Sequence, residues 1–342
     1  MKKLIYYITD HGKGHATRSV AIIRELQKEN LEIIVRNSNA VDFLKKSLPN
    51  IQIIDGKTDE GTVIQNDGVS IDVEKSLPHL TSWINKLPTF ANKESNFLDK
   101  QNPDLVISDI SALPILAAQK ANLLSMTISN FSWLDVLDFI HENEKNQLRD
   151  FYNYAHLSIR LPLGTEMKHF HNLHNVGLVS RKSEISKKLV RENLGIKNDE
   201  LFVILALGSS EKTDILNNSN KIRFITLNTT LDSNIPSQDL SNYIEAQNLV
   251  HSADLVICKC GYGFVSECIS SGTPFLYIYD NNHKEQSSIV SELNKMNCGM
   301  QTSLETLKTL KIDKNLIDSI PIKKIPIETF QTISKIKEVL DN

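Results

Sequence analysis

The sequence predicts an α/β fold of two doubly wound domains, and three observations carry that expectation. Short apolar runs alternate with amphipathic stretches through the first half, the alternation restarts near residue 201, and glycine turns follow several of the runs. Parallel strands need crossover connections, so this rhythm implies mostly parallel sheets covered by helices on both faces. A length of 342 residues fits two domains at roughly 100 to 200 residues each.

Taken in order, Leu4 to Ile8, Glu32 to Val35, Ile51 to Ile54, Leu105 to Ile107 and Leu124 to Ile128 read as strands of the first domain. The first follows a basic Met1-Lys2-Lys3 start like that of a signal peptide, but Thr9-Asp10-His11 ends the apolar run too soon, so a buried strand is expected. Gly56 to Ile71, with Gly56, Gly61 and Gly68 and no clear period, reads as a long loop of the kind that is more often functional than idle. Pro78 and Pro88 punctuate the helical region that follows, and Phe131-Ser132-Trp133-Leu134 opens another helix. A polar, His-rich interval from Lys168 to Asn175 precedes a boundary near Gly177 to Lys182. The second domain takes Leu201 to Leu205, Ile222 to Leu227, Leu255 to Ile257 and Pro274 to Ile278 as strands. Apolar residues at helical spacing (Ile327, Phe330, Ile333, Ile336, Val339) make a closing helix. The expected division is 1–178, 179–326 and the helix 327–342, with packing of that helix back on the first domain as an option.

Composition excludes several classes. With 40% hydrophobic and 23% charged residues the chain is an ordinary globular protein rather than a disordered one. A formal charge of -3 gives no positive field to hold a polyanion, so any phosphate must be bound locally. No apolar stretch reaches the roughly 20 residues of a spanning helix, and the expected location is the cytoplasm. Cys258, Cys260, Cys268 and Cys298 are too few and too clustered for a disulfide framework, so reduced thiols are expected.

Ligands of open α/β sheets sit beyond the carboxyl ends of the strands, and five strand ends there carry polar residues. Thr9-Asp10-His11-Gly12-Lys13-Gly14-His15-Ala16-Thr17-Arg18 joins the first strand to the first helix, where glycines admit close approach and the helix N-terminus favours anions. It is neither a Walker loop nor a dinucleotide fingerprint, and a plain turn with a capping histidine is the alternative. Asp109 ends the strand from Leu105, so it either orients His15 as a general base for a hydroxyl or caps the next helix. In Cys260-Gly261-Tyr262-Gly263-Phe264-Val265-Ser266-Glu267, Gly261 and Gly263 offer N–H groups to a diphosphate and Glu267 can accept from ribose hydroxyls. Gly208-Ser209 and His283-Lys284-Glu285-Gln286 stand on the same rim, with ordinary surface loops as the alternative.

Assembled over most of the chain, these motifs resemble the GT-B nucleotide-sugar glycosyltransferases, in the branch of archaeal and bacterial transferases and the lipid-II-forming N-acetylglucosaminyltransferase. Gly12 to Arg18 looks like the acceptor-domain loop and Pro103 to Asp109 like the strand whose acid backs the histidine; Gly261 to Glu267, Gly272-Thr273-Pro274-Phe275 and His283 to Gln286 look like the donor-site sequence. The resemblance implies two Rossmann-like domains facing across a cleft and an inverting, metal-independent transfer of a sugar, most commonly from a UDP-sugar, to an acceptor hydroxyl. It makes His15 the base, Asp109 its partner, Glu267 the ribose ligand, and Glu285 and Gln286 contacts to the donor sugar. Gly208, Ser209, Gly261, Gly263 and His283 complete the donor side, and Gly12, Gly14, Arg18 and Trp133 the acceptor side. No cofactor, metal or nucleic acid is expected. The acceptor is a small molecule or is lipid-linked, the latter allowing peripheral contact at the inner face of a membrane.

One departure stands out: the family usually carries a full helix after the first donor-domain strand, whereas Ser209 to Lys221 allows a turn or two. A non-catalytic GT-B-like binding protein is therefore one alternative. A nucleotide-sugar hydrolase or epimerase is another, since Gly14-His15 with Thr17-Arg18-Ser19 also resembles the loop of a sugar-nucleotide hydrolase of nonulosonate synthesis. His169, His171 and His174 lack a Cys or acid at zinc-ligand spacing. Cys258 and Cys260 read as small buried strand residues, Trp83 as packing, and Trp133 as packing or the wall of an acceptor pocket.

Overall fold

The run from Leu4 to Ile8 is buried on both faces, as the central strand of a parallel sheet must be. The computed structural model describes residues 1–65, 70–208, 212–216, 221–232 and 235–341. They divide into two units, the first of Met1–Val63, Asp72–Val179 and Glu328 onward, the second of Ile64–Ile71 and Ser180–Ile327.

In the first unit the order is β1 (Lys2–Ile8), α1 (Lys13–Leu26), β2 (Leu31–Asn37), α2 (Val41–Ser47), β3 (Gln52–Asp55), α3 (Val73–Gln101), β4 (Leu105–Asp109), α4 (Ala112–Lys120), β5 (Ser125–Ser129), α5 (Trp133–Val136), α6 (Glu142–Tyr152), β6 (Leu157–Arg160) and β7 (Leu173–Asn175). The described strands form one parallel sheet in the order β3-β2-β1-β4-β5-β6-β7. The chain therefore leaves β1 toward one edge and returns at β4 toward the other, which makes the β1/β4 boundary the topological switch point where such sheets build sites. The register pairs Ile8 with Asp109 at that boundary.

The second unit holds α7 (Lys187–Asn193), β8 (Leu201–Ala206), β9 (Lys212–Thr213), β10 (Ile222–Thr226), β11 (Thr230–Leu231), β12 (Ser237–Asp239), α8 (Ala246–Ser252), β13 (Leu255–Lys259), α9 (Tyr262–Ser271), β14 (Phe275–Ile278), α10 (Lys284–Met296), β15 (Met300–Gln301), α11 (Leu304–Leu307) and α12 (Lys314–Ser319). Its parallel sheet runs β12-β10-β8-β13-β14-β15, with the switch point between β8 and β13, and β9 pairs with β11 alongside. The last helix, α13 (Thr329–Asp341), belongs to the first unit, where Gly177 N–H donates to Gln331 (2.8 Å) and Lys337 pairs with Glu29 (2.7 Å).

Four features depart from the sequence reading. Pro78 and Pro88 do not interrupt the helical region: α3 runs through both, although each removes a ladder hydrogen bond. Burial of Leu80, Trp83, Ile84, Leu87, Ala91 and Leu98 along one face compensates, as does a clamp in which Glu94 accepts from Arg36 Nε (3.0 Å), Arg36 Nη2 (2.9 Å) and Tyr7 (2.8 Å). The His-rich interval carries an edge strand absent from the sequence reading, β7, paired with β6. Edge strands β12 and β15 went unread because Ser237–Asp239 is polar and exposed and Met300–Gln301 is too short for a period. Within Ser209 to Lys221 the described residues form β9 rather than any helical turn. Among the described residues no helix is long and apolar enough to cross a membrane.

Candidate functional site

At the switch point of the first sheet, α1 starts at Gly12, whose φ of 74° is a left-handed conformation that glycine adopts without strain. Nothing lies within 4 Å of where a Cβ would stand on Gly12 or Gly14, so the backbone there faces open space. His15 does not cap the helix: it sits in the first turn, nearly buried, with Nδ1 2.9 Å from Asp109 Oδ1. Asp109 does not cap α4 either, because Ser111 fills that role by accepting from Leu113 N–H.

Asp109 is fully buried and collects donors on both oxygens. Arg18 Nε (2.9 Å) and Ser19 Oγ (3.0 Å) donate to Oδ2, while Arg18 Nη2 (2.5 Å) donates to Oδ1 beside His15. Burial alone would raise this carboxyl, but Arg18 and His15 hold it well below the usual carboxylate range. The guanidinium is anchored in turn by Ser129 Oγ (3.0 Å) and by the side-chain oxygen of Asn130. Arg18 is thus corrected from an acceptor contact to an internal residue that grips Asp109, because its donors are drawn inward to a buried anion.

Trp133, read as packing or as the wall of an acceptor pocket, also turns inward. It is 4% exposed and donates Nε1–H to Asp59 Oδ2 (2.7 Å), so it backs the site rather than presenting a face. Its ring packs edge-on against His11 (5.3 Å) and Phe131 (5.8 Å), and Phe131 against His15 (5.5 Å). Asp59 also accepts from Thr9 Oγ1 (3.0 Å) and Glu60 N–H (2.9 Å), yet burial, with no cationic partner among the described residues, pushes its carboxyl up to about 7. Asp59 and Trp133 border a small apolar cavity closed by Leu80, Trp83, Ile84 and Leu137. Asp10 ties the surrounding loops together: Oδ1 accepts from the N–H of Ser38 (2.7 Å) and Asn39 (3.2 Å), Oδ2 from Thr58 (2.7 Å) and Asp59 (3.4 Å).

At the switch point of the second sheet, Gly208 follows β8 with φ 67°, exposed and with open space where a Cβ would stand. Ser209 lies outside the described residues. Gly261 starts α9 without a side-chain cap, and Gly263 lies in its first turn, so backbone N–H groups and the helix dipole meet at the end of β13. Glu267 is less available than its motif suggests. It is 4% exposed and accepts from Arg181 Nε (2.8 Å), whose Nη1 donates to the Ile244 carbonyl (2.9 Å); burial raises its carboxyl and Arg181 pulls it back. Gln286 is likewise buried, with Oε1 accepting from Asp280 N–H (3.0 Å), which fixes the turn before α10. Glu285 stays half-exposed. His283 begins α10 with a buried Nδ1 that has no hydrogen-bond partner among the described residues, and burial lowers its basicity. All four cysteines are buried free thiols.

Sequence reasoning missed Asp59, Ser129, Asn130 and Arg181. Ser129 and Asn130 could have been found from their position at the end of β5, adjacent to β4; Asp59 and Arg181 lie in irregular segments that carry no such signal.

The model of the family described as glycosyl transferase family 1 matches residues 2–321. The chain belongs to glycosyl transferase family 1. Among solved structures, the family member is similar to MurG of Acinetobacter baumannii (TM-score 0.57, 15% identity, 99% of this chain and 100% of that one). It is also similar to UGT89C1 of Arabidopsis thaliana complexed with UDP (0.64, 11%, 99% of each). A third is SsfS6 of Streptomyces sp. SF2575 complexed with thymidine diphosphate (0.59, 12%, 99% and 100%). At these identities the likeness concerns the fold, which is GT-B. A curated relative, L-arabinokinase of Arabidopsis thaliana, is 28% identical over 316 residues that cover 86% of this chain. The chain spans 30% of the length of that relative.

Proposed function

We propose that this glycosyltransferase moves a sugar, of hexose type, from a nucleotide diphosphate sugar to an acceptor hydroxyl with inversion and without a metal ion. The observation that carries the reading is the buried His15–Asp109 pair at the open, glycine-flanked start of α1. With Nδ1–H donated to Asp109, the lone pair of His15 lies on Nε2 and can take the acceptor proton. The acceptor oxygen then bonds to the anomeric carbon as the bond from that carbon to the diphosphate oxygen breaks. The pair leaves with the nucleoside diphosphate, and the proton stays on Nε2. Backbone N–H groups at Gly208, Gly261 and Gly263 would meet the diphosphate charge, which is how a helix N-terminus replaces a cation. Glu267, steadied by Arg181, would take the ribose, and His283, Glu285 and Gln286 the sugar. His283 Nδ1, buried without a partner among the described residues, supports a ligand at that turn. UDP and thymidine diphosphate, bound by UGT89C1 and SsfS6, are the first nucleotides to try, with UDP favoured. A lipid-linked acceptor and attachment to the inner face of a membrane belong to the proposal through the resemblance of the motifs to the lipid-II-forming N-acetylglucosaminyltransferase.

One observation favours a second reading. The L-arabinokinase relative is named for phosphoryl transfer to a monosaccharide, and this chain matches a minor part of it, which suits a sugar-ligand-binding module without transfer. A thermal-shift screen of uridine, thymidine, guanosine and cytidine diphosphates and their sugars separates the two. Ligand at 100 times its Kd stabilises the fold by about 2.7 kcal/mol. Transfer predicts a selective shift that Glu267→Gln weakens, with His15→Ala keeping the shift and losing 10²- to 10⁴-fold in turnover, roughly the contribution of a general base. A shift with no turnover under any condition would establish the binding reading. Sugar release in the absence of any acceptor, abolished by His15→Ala, would indicate a hydrolase.

A further inference from the structure

Proton removal from a hydroxyl needs a base and its partner, but the cluster at the end of β4 holds one group more, the guanidinium of Arg18. Arg18 and His15 stand three residues apart on α1 and so share a face, from which both reach Asp109. An ionised carboxylate offers about four lone-pair directions, and here each has a donor: Arg18 Nε and Ser19 Oγ at Oδ2, Arg18 Nη2 and His15 Nδ1 at Oδ1. Arg18 Nη2 also lies 2.6 Å from His15 Nδ1. Its two hydrogens are accounted for by Asp109 Oδ1 and Ser129 Oγ, so the close approach is between two donors side by side on one carboxylate. A neutral imidazole tolerates that neighbour. An imidazolium would set two full positive charges against a single anion at short range, in a site with little water to screen them.

We propose that Arg18 is a positioning residue for His15: it keeps Asp109 ionised, fixes the imidazole proton on Nδ1, and opposes protonation of Nε2. The inference rests on His15 as the proton acceptor of the transfer. A His–Asp pair alone favours the imidazolium, because the carboxylate has only that charge to meet; the guanidinium, bound to the same carboxylate, removes that bias. Other titratable groups face the cluster from β1 (Tyr6) and from the loop after it (His11, ring centroids 6.3 Å from His15), with Asp59 behind Trp133. The end of β5 supplies Ser129 and Asn130, which do not titrate.

The test is nuclear magnetic resonance of the whole protein labelled with ¹⁵N-histidine, with the His15 signals assigned by their loss in His15→Gln. The expected parent spectrum at neutral pH has a protonated Nδ1 and a lone-pair Nε2. Arg18→Gln should move the midpoint of the His15 titration upward by about one pH unit or more, the usual effect of one nearby charge, while Arg18→Lys, which keeps the charge, should stay near the parent. A parent imidazole protonated on Nε2 overturns the proposal, as does a midpoint that Arg18→Gln leaves in place. Should Arg18→Gln not fold, the parent tautomer and Arg18→Lys decide, and an upward move of a unit in Arg18→Lys also overturns it. None of these readouts needs turnover, so a failure here is distinguishable from a failure of the transferase reading.

Discussion

Replacing Asp59 by asparagine should make the first unit more stable at pH 8 and less so, relative to the parent, at pH 4. Asp59 is 2% exposed and accepts three hydrogen bonds, yet no cation pairs with it among the described residues, and burial moves its carboxyl from 3.8 up to about 7. In the unfolded chain the group ionises near 3.8, so between pH 4 and 7 the folded state holds one proton that the unfolded state has released. Stability rises with pH where the unfolded state binds more protons; here it binds fewer, so the contribution of Asp59 falls as pH rises, by up to about 1.4 kcal/mol per unit. Over about three units the loss is about 4 kcal/mol, complete above pH 7. The amide of Asp59→Asn does not titrate; it keeps an acceptor for Trp133 Nε1 but turns its NH₂ toward the Glu60 N–H, which costs about 1 kcal/mol at every pH. The expected difference in unfolding free energy, variant minus parent, therefore climbs by about 4 kcal/mol from pH 4 to pH 8, on the order of the shift itself. Urea unfolding followed by tryptophan fluorescence is the assay, since Trp83 and Trp133 are the two tryptophans of the chain and both lie in the first unit. Groups such as His283 titrate alike in both proteins and cancel in the difference. A difference flat within about 1 kcal/mol from pH 4 to 8 would refute a carboxyl raised by burial.

Three further outcomes follow from the packing. Asp109→Asn leaves the Arg18 guanidinium buried without its anion and should cost about 3–5 kcal/mol in urea unfolding of the first unit, the range for breaking a buried pair. Because the Asp109 carboxyl is depressed, its contribution is present above about pH 4 and lost as pH falls below it, so this penalty should shrink in strong acid. Glu94→Ala strands Arg36 and Tyr7 against α3 and should lower stability by about 3 kcal/mol, read in the same assay, with Glu94→Gln recovering part of it. Gly164→Ala places a Cβ on the Asn130 carbonyl, a backbone atom that cannot turn aside; it should cost about 1–3 kcal/mol and loosen the Asn130 contact with Arg18, visible as added motion at both residues in relaxation measurements.

The sequence by itself determined the strand runs and the two-unit α/β rhythm, because strands buried on both faces must be apolar throughout, as Leu4 to Ile8 and Leu255 to Ile257 are. It also determined the glycine turns at Gly12 and Gly208, whose φ of 74° and 67° is a left-handed conformation that glycine adopts without strain. The edge strands β12 and β15 were not legible: they are held by hydrogen bonds to a neighbour rather than by side-chain burial, and so leave no pattern. Nor did the prolines of α3 mean a break, because whether a lost ladder bond matters depends on how much of the helix face is buried elsewhere.

The direction in which each site residue faces was decided by tertiary structure alone. His15 and Asp109 meet across 94 residues of chain because β1 and β4 are neighbours in register, a consequence of where the chain reverses across the sheet. The resemblance put Arg18 on the acceptor side and left Trp133 as packing or an acceptor wall; each turns inward to a carboxylate, Asp109 and Asp59, whose nearness no local pattern records. A buried anion requires donors from whatever elements surround it, and that requirement is met by contacts distant in sequence, so the folded chain assigns those residues their partners.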